Sequence, residues 1–304
     1  MQPTGPGVAN REGGGKSVCY LSAAYCAVLL CAPAPARSDT SARIARCESL
    51  LVTQEQASRQ AGRSFALDIG GPSGARLRYI GVRHTSNPAD SQLVAMRQVW
   101  RDLTPTIAFY EGQGSFVGAS ADSSVLADGE PAFVRYLARQ AGIPARSLEP
   151  PRTAEVHELL GSFTAEQIML FYVTRSLAEE RDEGRLSASA FDTRLATALP
   201  FFRRVTQLTT TLSDTAEYHR AFARWFPGLD PADTPTRWFD PRHTSAETGS
   251  RFMNDVNRVS SAFRDQYMYR LIAGAWGPGV RIFAAVGRDH VPAQAAALRC
   301  ALEP

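Results

Sequence analysis

The feature that most constrains the fold is a pair of short motifs, each a glycine followed three residues later by a histidine. The first motif occupies residues 81–84 after a strand-like apolar run at 77–80, and the second occupies 287–290 after an apolar run at 282–286. In an open α/β sheet, ligands bind at the edge where the strands end. The chain contains five histidines. Two of them in equivalent settings predict a site shared by neighbouring strands.

Strand-like and helix-like segments alternate along most of the chain. This alternation predicts a mainly parallel sheet with right-handed crossovers, and the turn cluster at 70–74 predicts a hairpin between the first two strands. We therefore predict an α/β fold with a mainly parallel central sheet, flanking helices and a helical insertion or cap. Strands are predicted at 65–69, 76–81, 106–110, 145–148 and 280–286, and helices at 41–60, from 87 onward, and at 130–141, 245–276 and 292–302.

The segment at about 153–250 is predicted to be a helical insertion within a single domain of residues 37–304. Its pattern is mostly helical as far as Trp225, with a break expected at Pro200, and residues 226–243 are expected to be irregular. A loop of small residues is also expected at 112–128. We expect the insertion to lie above the carboxyl edge of the sheet. The alternative, a separate helical domain, is disfavoured because the last strand must return to the same sheet.

The N-terminal residues 1–36 are predicted to be an export signal. Arg11 and Lys16 precede an apolar stretch at 18–31, and residues 34–36 fit a small-x-small cleavage site. The stretch is short for a membrane span. We expect a periplasmic or secreted protein, with a retained membrane anchor as the alternative. The net charge of +3 is small for 304 residues. The sequence has no basic stripe of the kind that would indicate a nucleic-acid partner.

Removal of the signal leaves two cysteines, Cys47 and Cys300, one near each end of the mature chain. In an oxidising compartment, an isolated pair of this kind is expected to form a disulfide, which would tie the first helix to the last. The alternative is two unpaired thiols. Neither cysteine has a histidine or a second cysteine at the spacing of metal ligands.

Four polar residues fall at predicted strand ends and are the first candidates for a site: His84, Glu111, Glu149 and His290. Two imidazoles and one or two carboxylates suit Zn²⁺, Mn²⁺ or Co²⁺, and such a metal lowers the pKa of a bound water. A carboxylate that is not a metal ligand is a candidate general base. The alternative is that these side chains only form hydrogen bonds with the loops beside them.

The adjacent pair Arg264 and Asp265 lies in the long predicted helix before the last strand. From a helix at the edge of the sheet, Arg264 would reach a developing oxyanion or a substrate carboxylate. Asp265 would orient a histidine. The alternative is a solvated pair of charges on the surface of the helix.

These segments together resemble the TraB/GumN/Tiki families, which form a wider group with erythromycin-esterase-like and ChaN-like proteins. The resemblance covers about 76–298 in scattered blocks. It implies an α/β core and makes His84, Glu111 and His290 the metal or catalytic residues, with Arg264, Asp265 and Glu149 as further catalytic candidates. The blocks that carry it are residues 79–84, the strand that ends at Glu111, residues 142–149, Arg264-Asp265 and residues 287–290.

The resemblance implies an exported, metal-dependent hydrolase that acts on the peptide or ester bonds of a peptide or small-molecule substrate. The expected cofactor is Mn, Co or Zn, although esterase-like members do not clearly need a metal. The alternative, implied by the ChaN-like members, is a haem- or anion-binding protein without turnover. In it His84, Arg83 and Tyr79 or Tyr110 would hold the ligand. Many members have Gly-Thr-x-His where this chain has Arg83 beside the first histidine, and Arg83 favours an anionic ligand.

Overall fold

A five-stranded sheet forms the centre of the structure, a computed structural model in which residues 37–114 and 116–303 are described. The predicted export signal at 1–36 lies outside the described residues. The strands are β1 (Ala66–Gly70), β2 (Arg76–Val82), β3 (Ile107–Tyr110), β4 (Ala145–Ser147) and β5 (Arg281–Gly287). Their order across the sheet is β1-β2-β5-β3-β4. The pair β1–β2 is antiparallel, and the other neighbours are parallel.

The predicted fold class, α/β with a mainly parallel central sheet and flanking helices, is confirmed by this topology. The predicted hairpin is the antiparallel pair β1–β2. The last strand, β5, inserts between β2 and β3. The residues of β5 from Ile282 to Val286 are all buried, as expected for a parallel strand that is covered on both faces.

The helices surround this sheet and also fill the long segment between β4 and β5. In chain order they are α1 (Arg37–Glu48), α2 (Gln54–Ser58), α3 (Ser91–Leu103), α4 (Ala121–Ala141), α5 (Arg152–Leu160), α6 (Ala165–Asp182), α7 (Phe191–Thr206), α8 (Thr215–Trp225), α9 (Ser245–Thr248), α10 (Met253–Gly274) and α11 (His290–Leu302). None of the helices within the described ranges is long and apolar enough to cross a membrane.

Both faces of the sheet carry apolar side chains, which alternate along β5. Ile282, Ala284 and Val286 pack in a core with α10 and α11, whereas Phe283 and Ala285 pack in a second core with α3 and α4. This alternation follows from the two-residue repeat of a strand. It holds the carboxyl edge of the sheet in place between two layers of helices.

The helices between β4 and β5 have a third core of their own. This core joins α5, α6, α7 and α8 to the beginning of α10, through residues such as Met253 and Val256. The far end of α10 packs instead on the sheet, through Met268 and Ile272. The helix α10 is therefore shared by the helical block and the sheet, and its middle passes over the carboxyl edge.

Two helix boundaries differ from the sequence prediction because capping residues were overlooked. The predicted helix at 41–60 is two helices, and Thr53 with Gln56 forms a capping box that starts α2. The predicted loop at 112–128 is shorter, since a reciprocal cap between Ser120 and Ser123 starts α4 at Ala121. In both places a short polar side chain satisfies backbone N–H groups at the first turn of a helix.

Two other differences concern the continuity of helices. The predicted break at Pro200 is wrong, because α7 continues from Phe191 to Thr206. The buried side chains of Leu195 and Leu199 supply packing that outweighs the hydrogen bond lost at the proline. The predicted helix at 245–276 is divided into α9 and α10, and Gly249 closes α9 with a left-handed φ of 74°.

Cys47 and Cys300 are joined by a disulfide, with Cα atoms 5.6 Å apart. The bond ties α1 to α11, the helix that begins at His290. The helix carrying the second motif's histidine is therefore attached to the first helix by a covalent link as well as by packing.

Candidate active site

The two glycine–histidine motifs lie side by side at the carboxyl edge of the sheet. Val82 of β2 pairs with Gly287 of β5, and the backbone N–H of Arg288 donates to the carbonyl of Val82 at 3.0 Å. A Cβ added to Gly81 would lie 2.5 Å from the Cα of Arg288. Glycine is therefore needed at position 81 because the backbone of the second motif passes directly over it.

A cavity of about 290 Å³ opens above this edge. Its floor comes from the two motifs and from Glu111, which follows β3. Its roof comes from the helical block and from α10, so the helical insertion covers the carboxyl edge. The side chains that the roof contributes include Arg175, Phe239, Asn257, Ser261 and Arg264.

The imidazole of His84 is held from behind by Glu130. Its Nδ1 lies 2.5 Å from one carboxylate oxygen of Glu130, and the backbone N–H of Thr85 donates to the other oxygen at 3.1 Å. The side chain of Glu130 is only 5% exposed, whereas that of His84 is 69% exposed. The hydrogen bond with Glu130, aided by the charge of Glu111, raises the pKa of His84 above its ordinary value.

The position of Glu130 depends on an interruption of α4. Asp128 and Gly129 both leave the helical conformation, and Gly129 has φ 62° and ψ −153°, a region that is essentially restricted to glycine. A Cβ at Gly129 would lie 2.9 Å from the carbonyl oxygen of Thr85. Pro131 then restarts the helix. Glu130 is not among the site residues predicted from the sequence, although Gly129 and Pro131 on either side of it indicate an interrupted helix.

His290, the first residue of α11, is buried and lies between two carboxylates. Its Nδ1 lies 2.8 Å from Asp265, and its Nε2 lies 3.5 Å from Glu111. Gln294 donates to the same oxygen of Asp265 at 2.6 Å. Burial alone would lower the pKa of His290, but the charges of Asp265 and Glu111 outweigh it and raise the pKa to about 10.

Glu111 is held by donors on both of its oxygens. One oxygen accepts a hydrogen bond from Arg264 at 2.5 Å, and the other accepts one from the backbone N–H of Gly287. Burial would raise the pKa of Glu111, but the charges of His290 and Arg264 hold the pKa well below its usual range. Arg264 also binds Glu149 through two nitrogens. Glu111, Glu149 and Arg264 therefore form one buried ionic cluster.

The structure thus brings together all six residues that the sequence singled out for the site. A Cβ added to Gly287 would lie 3.2 Å from Glu111, 3.5 Å from His84 Nε2 and 3.6 Å from the ring of His290. The two histidines and Glu111 therefore converge on one point above Gly287. Asp265 and Glu149 lie behind them, where they hold His290 and Arg264.

The comparisons with known proteins place no constraint on this site. No protein-family model, curated protein or solved structure matches the chain. The resemblance to the TraB/GumN/Tiki families therefore rests on the sequence motifs alone. The geometry of the site is therefore the only basis for a proposed function.

The predicted metal ligands His84, His290 and Glu111 are close together, and His290 and Glu111 are each bound by other protein groups. Among residues 37–114 and 116–303, no group of three or more His, Cys, Asp and Glu residues is placed to hold an ion. Both oxygens of Glu111 already accept hydrogen bonds. The carboxylates of Asp265 and Glu111 raise the pKa of His290, and a metal would have to displace the proton that this favours. In this structure the positive charge next to Glu111 comes from Arg264.

The tyrosines expected to hold haem do not line the cavity. Tyr79 is completely buried. The ring of Tyr110 lies under the guanidinium of Arg135, with 5.2 Å from its centre to the Arg135 carbon. Neither is among the residues that line the cavity. An anionic ligand would therefore be held by His84 and the arginines rather than by a tyrosine.

Proposed function

We propose that this protein is an exported hydrolase of ester or peptide bonds in which the pair His84–Glu130 activates the attacking water. The observation that carries the proposal is the exposed imidazole of His84, whose Nδ1 is bound by a buried carboxylate. Because Nδ1 is bound to Glu130, Nε2 is the nitrogen of His84 that can accept a proton from water. A general base of this kind contributes about 10²- to 10⁴-fold to a reaction rate.

His84 is better suited to this role than Glu111. A carboxylate whose pKa lies well below its usual range has little affinity for a proton at neutral pH. The hydrogen bond with Glu130 raises the pKa of His84 above that of an ordinary histidine, so its imidazole is a stronger base than Glu111. Glu111 is then a positioning residue, which holds Arg264 of the roof and His290 of the floor on opposite sides of its carboxylate.

Arg264 and His290 supply positive charge opposite the base. His84 would take a proton from water, and the hydroxide would attack the carbonyl carbon. The carbonyl oxygen would gain a negative charge, which buried positive groups stabilise strongly because little water screens them. The tetrahedral intermediate would then expel the alcohol or amine, which takes the proton back from His84.

The test is turnover of 4-nitrophenyl esters and a panel of short peptides by the mature protein. We expect His84→Gln to lower kcat/KM by at least about a hundredfold, and Glu130→Gln to lower it less, because the imidazole remains. The matched control is His219→Gln, since His219 forms an exposed pair with Asp192 at 2.8 Å, away from the cavity. Equal activity of His84→Gln and the wild type would overturn the proposal.

A second candidate is metal-dependent hydrolysis, which is favoured by the convergence of His84, His290 and Glu111 above Gly287. Elemental analysis of protein purified without a His tag or chelator separates the two candidates. One equivalent of Mn, Co or Zn, lost in the His84→Ala/His290→Ala variant, would favour the metal. Full esterase activity in EDTA would favour the pair His84–Glu130.

A further inference from the structure

The cavity is rich in positive charge beyond what the proposed chemistry requires. Four arginines line it, Arg83, Arg175, Arg264 and Arg288, against two carboxylates, Glu111 and Asp289. Of the four, only Arg264 is bound to Glu111. Three arginines therefore remain to be explained.

Two of the three come from the glycine–histidine motifs themselves. The backbone of Arg83 is fixed by Gln92, which accepts from its N–H at 3.0 Å and donates to its carbonyl at 2.6 Å. The guanidinium of Arg83 is exposed and forms no hydrogen bond or ion pair within residues 37–114 and 116–303. Arg288, on the neighbouring strand end, lies 4.0 Å from Asp289, and its guanidinium carbon lies 5.2 Å from the centre of the Phe65 ring.

The third arginine approaches from the opposite side. Arg175 belongs to α6 in the helical block, where it donates to Glu179 at 2.8 Å and to Asn257 at 3.2 Å. Asp289 is also shared with Arg242, at 3.8 Å, so it neutralises Arg288 only in part. The floor and the roof of the cavity therefore both present positive charge to whatever lies between them.

We infer that the substrate carries an oxyanion group, a carboxylate or a phosphate, which Arg83, Arg288 and Arg175 bind beside the bond to be cleaved. Calling the bound anion a substrate rests on the proposed hydrolysis. The anion site itself is inferred from the arginines alone. Guanidinium groups bind carboxylate and phosphate through parallel hydrogen bonds. Arg83 has no carboxylate partner among the described residues, and Arg288 and Arg175 each have one. Like charges that face one cavity repel each other, and an anion between the arginines would offset that repulsion.

The dimensions of the cavity limit the ligand further. A volume of about 290 Å³ is at the small end of ligand pockets. The neutral polar side chains Gln54, Asn257 and Ser261 also line it and suit a small polar molecule rather than a long acyl chain.

Binding is tested first, without turnover, by calorimetric titration of the mature protein with inorganic phosphate and with succinate. We expect Arg83→Gln and Arg288→Gln each to weaken binding about tenfold, as loss of one charge-assisted hydrogen bond would. Raising the salt concentration should weaken binding further. Binding of only one probe would identify that oxyanion as the ligand.

The control is Arg101→Gln, which removes an exposed arginine on α3 that does not line the cavity. No saturable binding of either probe, or equal loss in Arg101→Gln, would overturn the inference.

Turnover then separates this inference from the proposed function. The matched substrates are 4-nitrophenyl acetate and the 4-nitrophenyl half-ester of succinate, which differ by a carboxylate. We expect the half-ester to be preferred, and the preference to disappear in the Arg83→Gln/Arg288→Gln variant. Anion binding without hydrolysis of any ester would sink the proposed function alone. Hydrolysis without anion binding or preference would sink this inference alone.

Discussion

At the scale of single residues, each histidine of the site is defined by the carboxylate behind it. Glu130 binds the exposed His84, and Asp265 binds the buried His290. Both contacts raise the pKa of the histidine, and the pKa of His290 reaches about 10 because its ring is buried between Asp265 and Glu111. His84 differs in being exposed to the cavity, where its Nε2 can meet a water molecule or a substrate.

The pH dependence of activity should report on Glu130. Glu130 raises the pKa of His84, and His84 must be neutral to act as a base. The acid limb of kcat/KM should therefore lie above the ordinary histidine value of about 6.5. In Glu130→Gln the limb should move to lower pH while the plateau falls. The measurement is kcat/KM against pH for both proteins, and an unchanged limb would exclude His84–Glu130 as the titrating pair.

Gly287 should be essential for activity but not for folding. An added methyl group would lie 3.2 to 3.6 Å from Glu111, His84 and His290, in the space where water or substrate must approach. Its φ does not require glycine. We expect Gly287→Ala to lose at least about a hundredfold in kcat/KM, the scale of an interrupted general base, with a melting temperature close to the wild type. Wild-type turnover by Gly287→Ala would place the reacting atoms elsewhere.

At the scale of secondary-structure elements, the interruption of α4 positions the base. Gly129 has a positive φ and lies against Thr85, whereas Gly142, at the end of the same helix, has φ 65° with no atom within 4 Å. Gly129→Ala should cost about 1–3 kcal/mol of stability from backbone strain and should also displace Glu130. Urea denaturation and kcat/KM are the two measurements.

Gly142→Ala is the matched control for Gly129→Ala. It should lose about 1 kcal/mol from the same kind of strain, with no change in kcat/KM. If both variants lose activity equally, general destabilisation rather than displacement of Glu130 is the cause.

The elements also show how far the sequence could predict the structure. The alternation of strands and helices predicted the parallel sheet, and the strand ends predicted that His84, Glu111 and His290 would meet. Glu130 was missed because its contact with His84 spans 46 residues and depends on one glycine conformation within a helix. The pairing of Arg264 with Glu111 was missed because a sequence pattern places a side chain on a helix without saying which carboxylate it reaches.

At the scale of the whole molecule, the disulfide holds the ends of the described chain together. Cys47 and Cys300 are 253 positions apart, and by the chain-entropy model closing so long a loop contributes roughly 5 kcal/mol. The Cys47→Ser/Cys300→Ser variant should therefore unfold at a lower urea concentration. Adding a reductant should lower the stability of the wild type only. A reductant effect of equal size on the double variant would mean that another process is being measured.

The buried proton of His290 should make the whole fold less stable in alkali. Its pKa is raised to about 10 in the folded state from about 6.5 in the unfolded chain. Its contribution is therefore complete below about pH 6.5 and is lost as the pH rises toward 10. Between these values the folded state binds one more proton, so the free energy of unfolding should fall by about 1.4 kcal/mol per pH unit. Asp265 and Glu111 supply the charges that hold the proton.

Urea unfolding between pH 6.5 and 9.5 measures this slope. His290→Gln should be less stable than the wild type at pH 6.5 and should lose most of the slope, because glutamine cannot hold a proton between Asp265 and Glu111. His219→Gln should keep the slope, since its imidazole lies on the surface at α8. A slope that survives in His290→Gln would show that another group titrates. If the slope is lost only when His290 is replaced, the proton on His290 gives the candidate active site its positive charge and also stabilises the fold.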